Sequence, residues 1–168
     1  SFRFTRDSYR TQITSQVAED GKPLPHLLAW RGGFGDMTVA NAAGNQHSVY
    51  YDAAGASLEV KAAKEAKDGP AAFTGNLAFA GIQDAYFAAV FLPAGGGTTT
   101  IQTWSDSVPT PFSQGKEEAF VGAAVGGSGS NRFTAFVGPK DLDLLKKVDP
   151  RLEQLVDFGW FAFLAKPL

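Results

Sequence analysis

The chain has 168 residues and a mass of 17.8 kDa; it is 44% apolar and 19% charged, with a net charge of −2. That is enough chain for one packed core and too apolar for disorder throughout, and the acidic balance disfavours a nucleic-acid binder, which carries a basic stripe. With no cysteine, and His26 and His47 as its two histidines, it has no disulfide, thiolate metal site, thiol nucleophile or multi-histidine metal centre, and no cofactor is expected.

Phe2 and Phe4 alternate with Arg3 and Thr5, the period of a half-buried strand. The alternation breaks across residues 6–8 and resumes at Tyr9, Thr11, Ile13, Ser15 and Val17, which predicts two strands or one bulged strand. Residues 19–23, with Gly21 and Pro23, form a turn by composition. Leu27, Leu28 and Trp30 make the stretch 24–34 a strand, edge-like at its start because of Pro23 and Pro25. Residues 34–46 read as a loop. Short strands are expected at 48–52 and 57–61, then an exposed turn of helix or loop at 62–69, where charged residues show no apolar stripe.

The strongest strand signal is the nearly continuous apolar run 85–92, ending at Pro93 and expected to be buried on both faces. Residues 98–105, rich in Thr, Ile and Trp, predict another strand. The segment 107–115, with Pro109 and Pro111, is expected to be irregular. Residues 118–125 and 131–138 flank Gly126-Gly127-Ser128-Gly129-Ser130 and predict a hairpin. After Pro139 the pattern turns helical: Leu142, Leu145 and Val148 form one stripe, and Asp149-Pro150 ends it. Residues 151–168 predict a second helix ending at Pro167. The organisation is a single domain over 1–168, many strands over 1–138 followed by two short helices over 139–168. It has no run of about 20 apolar residues to span a bilayer and no signal-peptide pattern. Because it starts inside a strand pattern, it reads as part of a longer protein, truncated on its N-terminal side.

Catalytic signatures fail on inspection. The 126–130 run has Ser130 where a nucleophile elbow needs Gly, and it lies between two strands. Gly33-Phe34-Gly35 begins a dinucleotide fingerprint that Thr38 interrupts. His26 and His47 are general-base candidates by residue type alone. Asp84, beside the apolar run, would act as an acid if the core raised its pKa. From residue 140 onward five basic residues (Lys140, Lys146, Lys147, Arg151, Lys166) balance five acidic ones (Asp141, Asp143, Asp149, Glu153, Asp157). Attraction to anionic lipid therefore nearly cancels. Membrane affinity in this part must come from Phe158, Trp160, Phe161, Phe163 and Leu164.

Several stretches together resemble a known family. Ala80-Gly81-Ile82-Gln83-Asp84-Ala85-Tyr86-Phe87-Ala88-Ala89-Val90-Phe91-Leu92-Pro93 is similar to the buried strand of the large periplasmic domain of the YidC membrane protein insertases. So are Phe136-Val137-Gly138-Pro139-Lys140, then Leu152-Glu153-Gln154-Leu155-Val156-Asp157-Phe158-Gly159-Trp160-Phe161, and the ending Ala165-Lys166-Pro167-Leu168. Ala29-Trp30-Arg31-Gly32-Gly33 sits where the family has an aromatic-Arg-Gly segment. The resemblance covers most of the chain, in order; its last element is specific and its middle loops are not.

The resemblance implies a mainly β fold, a galactose-mutarotase-like β-supersandwich of antiparallel strands closed by two short C-terminal helices. It implies a non-catalytic domain at the periplasmic face of the bacterial inner membrane, part of a multi-pass parent. Its partners would be the membrane-embedded core of the same protein, Sec translocon components (SecDF) and substrate membrane proteins. Nucleic acid is not among them, and the isolated domain would bind lipid weakly or not at all. Phe158, Gly159, Trp160, Phe161, Phe163, Leu164 and Pro167 would form the junction with the membrane core, Gly159 and Pro167 setting the bend.

Two other readings compete. A carbohydrate-binding or mutarotase-like domain needs a histidine and Asp84 or Glu59 to converge in a cleft lined by Trp30 or Trp104. A chaperone-like surface would use long apolar strands such as 85–92 to hold apolar segments.

Overall fold

The computed structural model describes residues 1–31, 42–95, 97–109 and 117–156. Among the described residues thirteen strands form two main antiparallel sheets and a minimal hairpin. In chain order they are β1 (Phe2–Phe4), β2 (Arg10–Gln16), β3 (Ala18–Glu19), β4 (Lys22–Pro23), β5 (Leu27–Trp30), β6 (His47–Asp52) and β7 (Ser57–Ala62), then β8 (Ala71–Gly75), β9 (Leu77–Gln83), β10 (Phe87–Pro93), β11 (Thr99–Pro109), β12 (Glu117–Gly126) and β13 (Ser130–Pro139). The larger sheet has the order β1-β2-β13-β10-β9-β6-β7, the smaller β5-β12-β11-β8, and β3 pairs with β4.

The sheets face each other across one core, in which Ile82, Ala89 and Phe91 of the larger meet Ile101, Val121, Ala123 and Val125 of the smaller. Tyr50 of β6 stacks on Phe73 of β8 with ring centroids 4.7 Å apart. A polar contact crosses the interior, Ser48 Oγ to Thr103 Oγ1 at 2.6 Å, and it satisfies both hydroxyls. A second core lies on the opposite face of the larger sheet. There Val49, Phe79, Val90 and Phe136 are covered by Leu145, Leu152 and Leu155, so the architecture is a β-sandwich with a helical cap on one face.

Several expectations change here. Phe2 and Phe4 do form a strand, but both are exposed, at 63% and 78%. β1 is the edge strand of the seven-stranded sheet, and the described residues leave both side chains largely uncovered. The strand expected at 24–34 is shorter, because Lys22–Pro23 turns back on Ala18–Glu19 before β5 begins. Residues 71–83, to which sequence patterning gave no strand, hold β8 and the fully buried β9. Small residues (Ala78, Ala80, Gly81) mask the hydrophobic signal of β9, although they are what lets strands and cap approach it closely. The run 85–92 is not one strand: Ala85 and Tyr86 form a turn, Tyr86 is 77% exposed, and β10 starts at Phe87.

The segment expected to be irregular from 107 is strand as far as Pro109, which pairs with Glu117 at the end of β11, where a proline is tolerated. The exposed segment at 62–69 holds a 3₁₀ turn, Ala63–Ala66, whose Ala63 and Ala66 are buried. Glu65 accepts the Ala62 N–H at 2.7 Å, and that bond holds its carboxyl below the usual range.

The largest topological difference concerns the expected hairpin. β12 and β13 do not pair with each other: β12 lies between β5 and β11, and β13 between β2 and β10. The 126–130 segment is therefore an arch between sheets. Gly127, at φ +127°, makes the turn, and its N–H donates to His26 O at 3.0 Å. A hairpin and an arch have the same composition, because both need glycine and small polar residues.

The expected first helix is α1 (Leu142–Val148), with Leu145 fully buried and Val148 and Leu144 packed on the same core, so Leu144 takes the place expected of Leu142. Asp141 caps it by accepting the Leu144 N–H at 2.8 Å. Of the second helix expected over 151–168, the described part holds a 3₁₀ segment, Pro150–Leu155, and residues 157–168 lie outside the described residues.

Candidate functional site

The C-terminal part of the described chain is held to the sheet at two levels. Leu145, Leu152 and Leu155 are each 0% exposed against the outer face of the seven-stranded sheet. Burying three leucines stabilises the attachment by roughly 1.5–3 kcal/mol per side chain. Asp149 then orders the turn between the helices. Its Oδ1 accepts from the backbone N–H of Arg151 at 2.9 Å, and its carboxylate pairs with the guanidinium at 2.9 and 2.6 Å. Those hydrogen bonds with Arg151 hold the Asp149 carboxyl below its ordinary value, against the opposing effect of burial.

The sign of the linkage follows from that direction. The folded state binds the Asp149 proton less readily than the unfolded chain, so its stabilisation is present above about pH 4 and is lost as pH falls through the folded value. Asp149→Asn keeps a capping oxygen and removes the charge. The expected result is a variant whose unfolding free energy falls less than wild type between pH 6 and pH 3, measured by urea titration; equal losses would contradict this role.

The chain reaches Val156 at one end of the sandwich, beside a cleft of about 390 Å³. Asn45, His47, Gln83, Asp84, Ala85, Tyr86, Lys140 and Val156 line it. Asp84 closes the β9–β10 turn there: its Oδ1 accepts the N–H groups of Tyr86 and Phe87 at 2.7 and 2.6 Å. Lys140 Nζ donates to Asp84 O at 2.9 Å and to Gln83 Oε1 at 3.2 Å, and Lys140 N donates to Tyr86 O at 2.7 Å. These bonds fasten the start of the helical cap to the tip of the turn. Asp84 is thus a turn-forming carboxylate, and the acid role considered for it has no geometric support.

Of the residues expected to line a ligand cleft, the structure brings together His47 and Asp84 but neither tryptophan. Trp30 and Trp104 both belong to the four-stranded sheet, on opposite faces. Trp30 is opposite Ala123 and packs on the inter-sheet core. Trp104 is opposite Gly122 on the outer face, and a Cβ on Gly122 would come within 2.7 Å of its ring atom Cζ2. The Trp104 indole N–H donates to Asp106 at 3.0 Å, and Asp106 in turn pairs with Arg31 at 3.4 Å. A one-residue offset along neighbouring strands separates the two rings by the thickness of a sheet.

His26 is a structural hub. Its Nε2 lies 2.8 Å from Ser15 Oγ and 3.1 Å from Asn131 Nδ2, and its Nδ1 lies 3.1 Å from Leu24 O. With Nδ1 protonated, Nε2 accepts from both partners. Asn131 Nδ2 also donates to His26 O at 3.0 Å, so this network ties the arch to β2 and β13 of the larger sheet and to the segment entering β5 of the smaller. Sequence reasoning missed this network and the Lys140 bridge, because Asn131 lies 105 positions from His26 and Lys140 lies 56 from Asp84. Glu59 lies on β7 opposite Tyr50, away from the cleft lining. The apolar run considered as a holding surface is mostly core, with Ala88–Leu92 buried. The junction residues Phe158, Gly159, Trp160, Phe161, Phe163, Leu164 and Pro167 lie outside the described residues.

A two-sheet sandwich that ends in a pinned helical cap agrees with the resemblance, and comparison with known proteins decides the family. The model of the YidC periplasmic domain matches residues 1–168. The chain belongs to the YidC periplasmic-domain family. Three relatives, each described as a membrane protein insertase YidC, show how far the likeness extends. The Pelobacter propionicus protein is 27% identical over 99% of this chain and 31% of its own length. The Geotalea daltonii protein is 32% identical over 77% of the chain and 25% of its own length. The Chlorobium phaeovibrioides protein is 26% identical over 95% and 28%. The chain spans less than a third of the length of these YidC relatives. Among the described residues no helix is long and apolar enough to cross a membrane.

Proposed function

We propose that this chain is a non-catalytic accessory domain of a YidC-type membrane protein insertase, standing at the periplasmic face of the inner membrane. It positions the insertase core during insertion and folding of membrane proteins and offers a surface to Sec partners such as SecDF. The observation that carries the reading is the match of the family over the whole chain. The pinned cap supports it: Leu145, Leu152 and Leu155 are fully buried up to Val156, so the domain can transmit a fixed orientation to whatever follows. Residues 157–168 hold Phe158, Trp160, Phe161, Phe163 and Leu164, which suit an apolar junction with the membrane core, with Gly159 and Pro167 setting its bend.

The experiment is the double substitution Trp160→Ala and Phe161→Ala in the full-length protein, with insertion of a substrate membrane protein as the readout. Insertion is expected to fall severalfold while the amount of folded insertase stays the same. Unchanged insertion would remove the junction role.

A further inference from the structure

The exposed aromatic side chains of the described chain are unevenly placed. Tyr86 (77% exposed), Phe87 (45%), Tyr9 (51%) and Phe4 (78%) lie towards the end of the sandwich that carries the β9–β10 turn, whereas Phe2 (63%) lies level with Pro93 at the other end. Val137, 41% exposed, lies among them, and its N–H donates to Tyr9 O at 3.0 Å. Val156, where the described chain ends, lines the same cleft as Tyr86.

We infer that this end of the domain rests on the lipid headgroup layer, with Tyr86 and Phe87 as its interfacial anchors. The inference rests on the attachment proposed above and adds a partner and a contact surface to it. Three observations favour a bilayer surface as the occupant. The turn is rigid, because Asp84 Oδ1 holds the N–H groups of both Tyr86 and Phe87 and Lys140 Nζ holds Asp84 O. A rigid tip presents its aromatics at little cost in ordering entropy. Tyrosine has an apolar ring and a polar end, the combination that favours the headgroup level. The chain leaves from this same end into residues 157–168, which carry Phe158, Trp160, Phe161, Phe163 and Leu164. A tether starting beside Tyr86 keeps the tip at high effective concentration near any surface the tether enters, so weak intrinsic affinity is sufficient.

The test uses the full-length parent reconstituted in vesicles of phosphatidylethanolamine and phosphatidylglycerol. This chain has no cysteine, so within it Tyr86→Cys, Trp160→Cys and Ala94→Cys each give one spin-label site. Ala94 follows Phe87–Pro93 and lies at the opposite end, about 23 Å from the tip at the usual rise per strand residue. The expected result is a ratio of oxygen to polar-chelate collision rates severalfold higher at 86 than at 94. If 160 is immersed while 86 matches 94, the inference falls and the attachment stands. If 160 and 86 both match 94, both fall. Immersion at 86 with 160 aqueous supports the surface contact and overturns the attachment.

Discussion

Replacing Gly81 by Val is expected to abolish cooperative folding. Gly81 lies at the centre of β9, opposite Val90 of β10 and Val49 of β6. A Cβ there would run into the carbonyl oxygen of Ala89 and lie 2.7 Å from Val90 Cα and 3.0 Å from the Ala89 carbonyl carbon. These are backbone atoms of a paired central strand, and they have no rotamer through which to yield. Relief requires β9 and β10 to separate, which breaks the ladder and opens both cores at once. The cost is expected to exceed about 4 kcal/mol, a large part of the stability of an ordinary domain. Gly55→Ala is the matched control: its Cβ would come only within 3.2 Å of the side chain of Asp52, which can move. Far-UV circular dichroism through a urea titration separates the two. A Gly81→Val protein that unfolds cooperatively within 1 kcal/mol of wild type would refute the close approach of these strands.

Leu152→Ala is expected to loosen the helical cap while leaving the sandwich folded. Leu152 is 0% exposed and packs with Leu145 and Leu155 over Phe79, Val90 and Phe136. Truncating a buried leucine costs about 2–5 kcal/mol, the spread reflecting how far the site can collapse. In a domain of this size each kcal/mol lowers the melting temperature by about 2–4 °C. A fall of about 4–20 °C is therefore expected, against almost none for the exposed Gln154→Ala. Hydrogen exchange locates the effect. The N–H of Val156, bonded to Glu153 O at 3.0 Å, should exchange faster, while the N–H groups of β9 stay protected. Equal exchange at Val156 in variant and wild type would mean that the cap does not depend on Leu152. In the full-length protein this variant separates orientation from anchoring, since it disturbs the base of the junction and leaves residues 157–168 untouched.

The sequence by itself determined the class of most elements and the family. Period-two alternation marked β2 and β7, β-branched and aromatic content marked β11, and the stripe of Leu142, Leu145 and Val148 marked α1. Those signals are local: each depends on residues a few positions apart, and one buried face suffices to produce them. The resemblance was also legible, because it rests on ordered short motifs. β8 and β9 were not, since alanine and glycine carry little hydrophobic signal where two packed layers leave no room for larger side chains.

The tertiary structure alone decided which strands pair and which residues meet. Gly126 to Ser130 would serve a hairpin or an arch equally, and only the places of β12 in one sheet and β13 in the other select the arch. Phe2 and Phe4 have the alternation of a buried face, but burial needs a covering layer, and on the edge strand β1 the described residues leave both exposed. Trp30 and Trp104 were plausible partners until register placed them on opposite faces. Asp84 took its role from two backbone N–H groups and the reach of Lys140, 56 residues away. Pairing and burial are properties of contacts between distant segments, and a one-residue change of register reverses them without altering any local pattern.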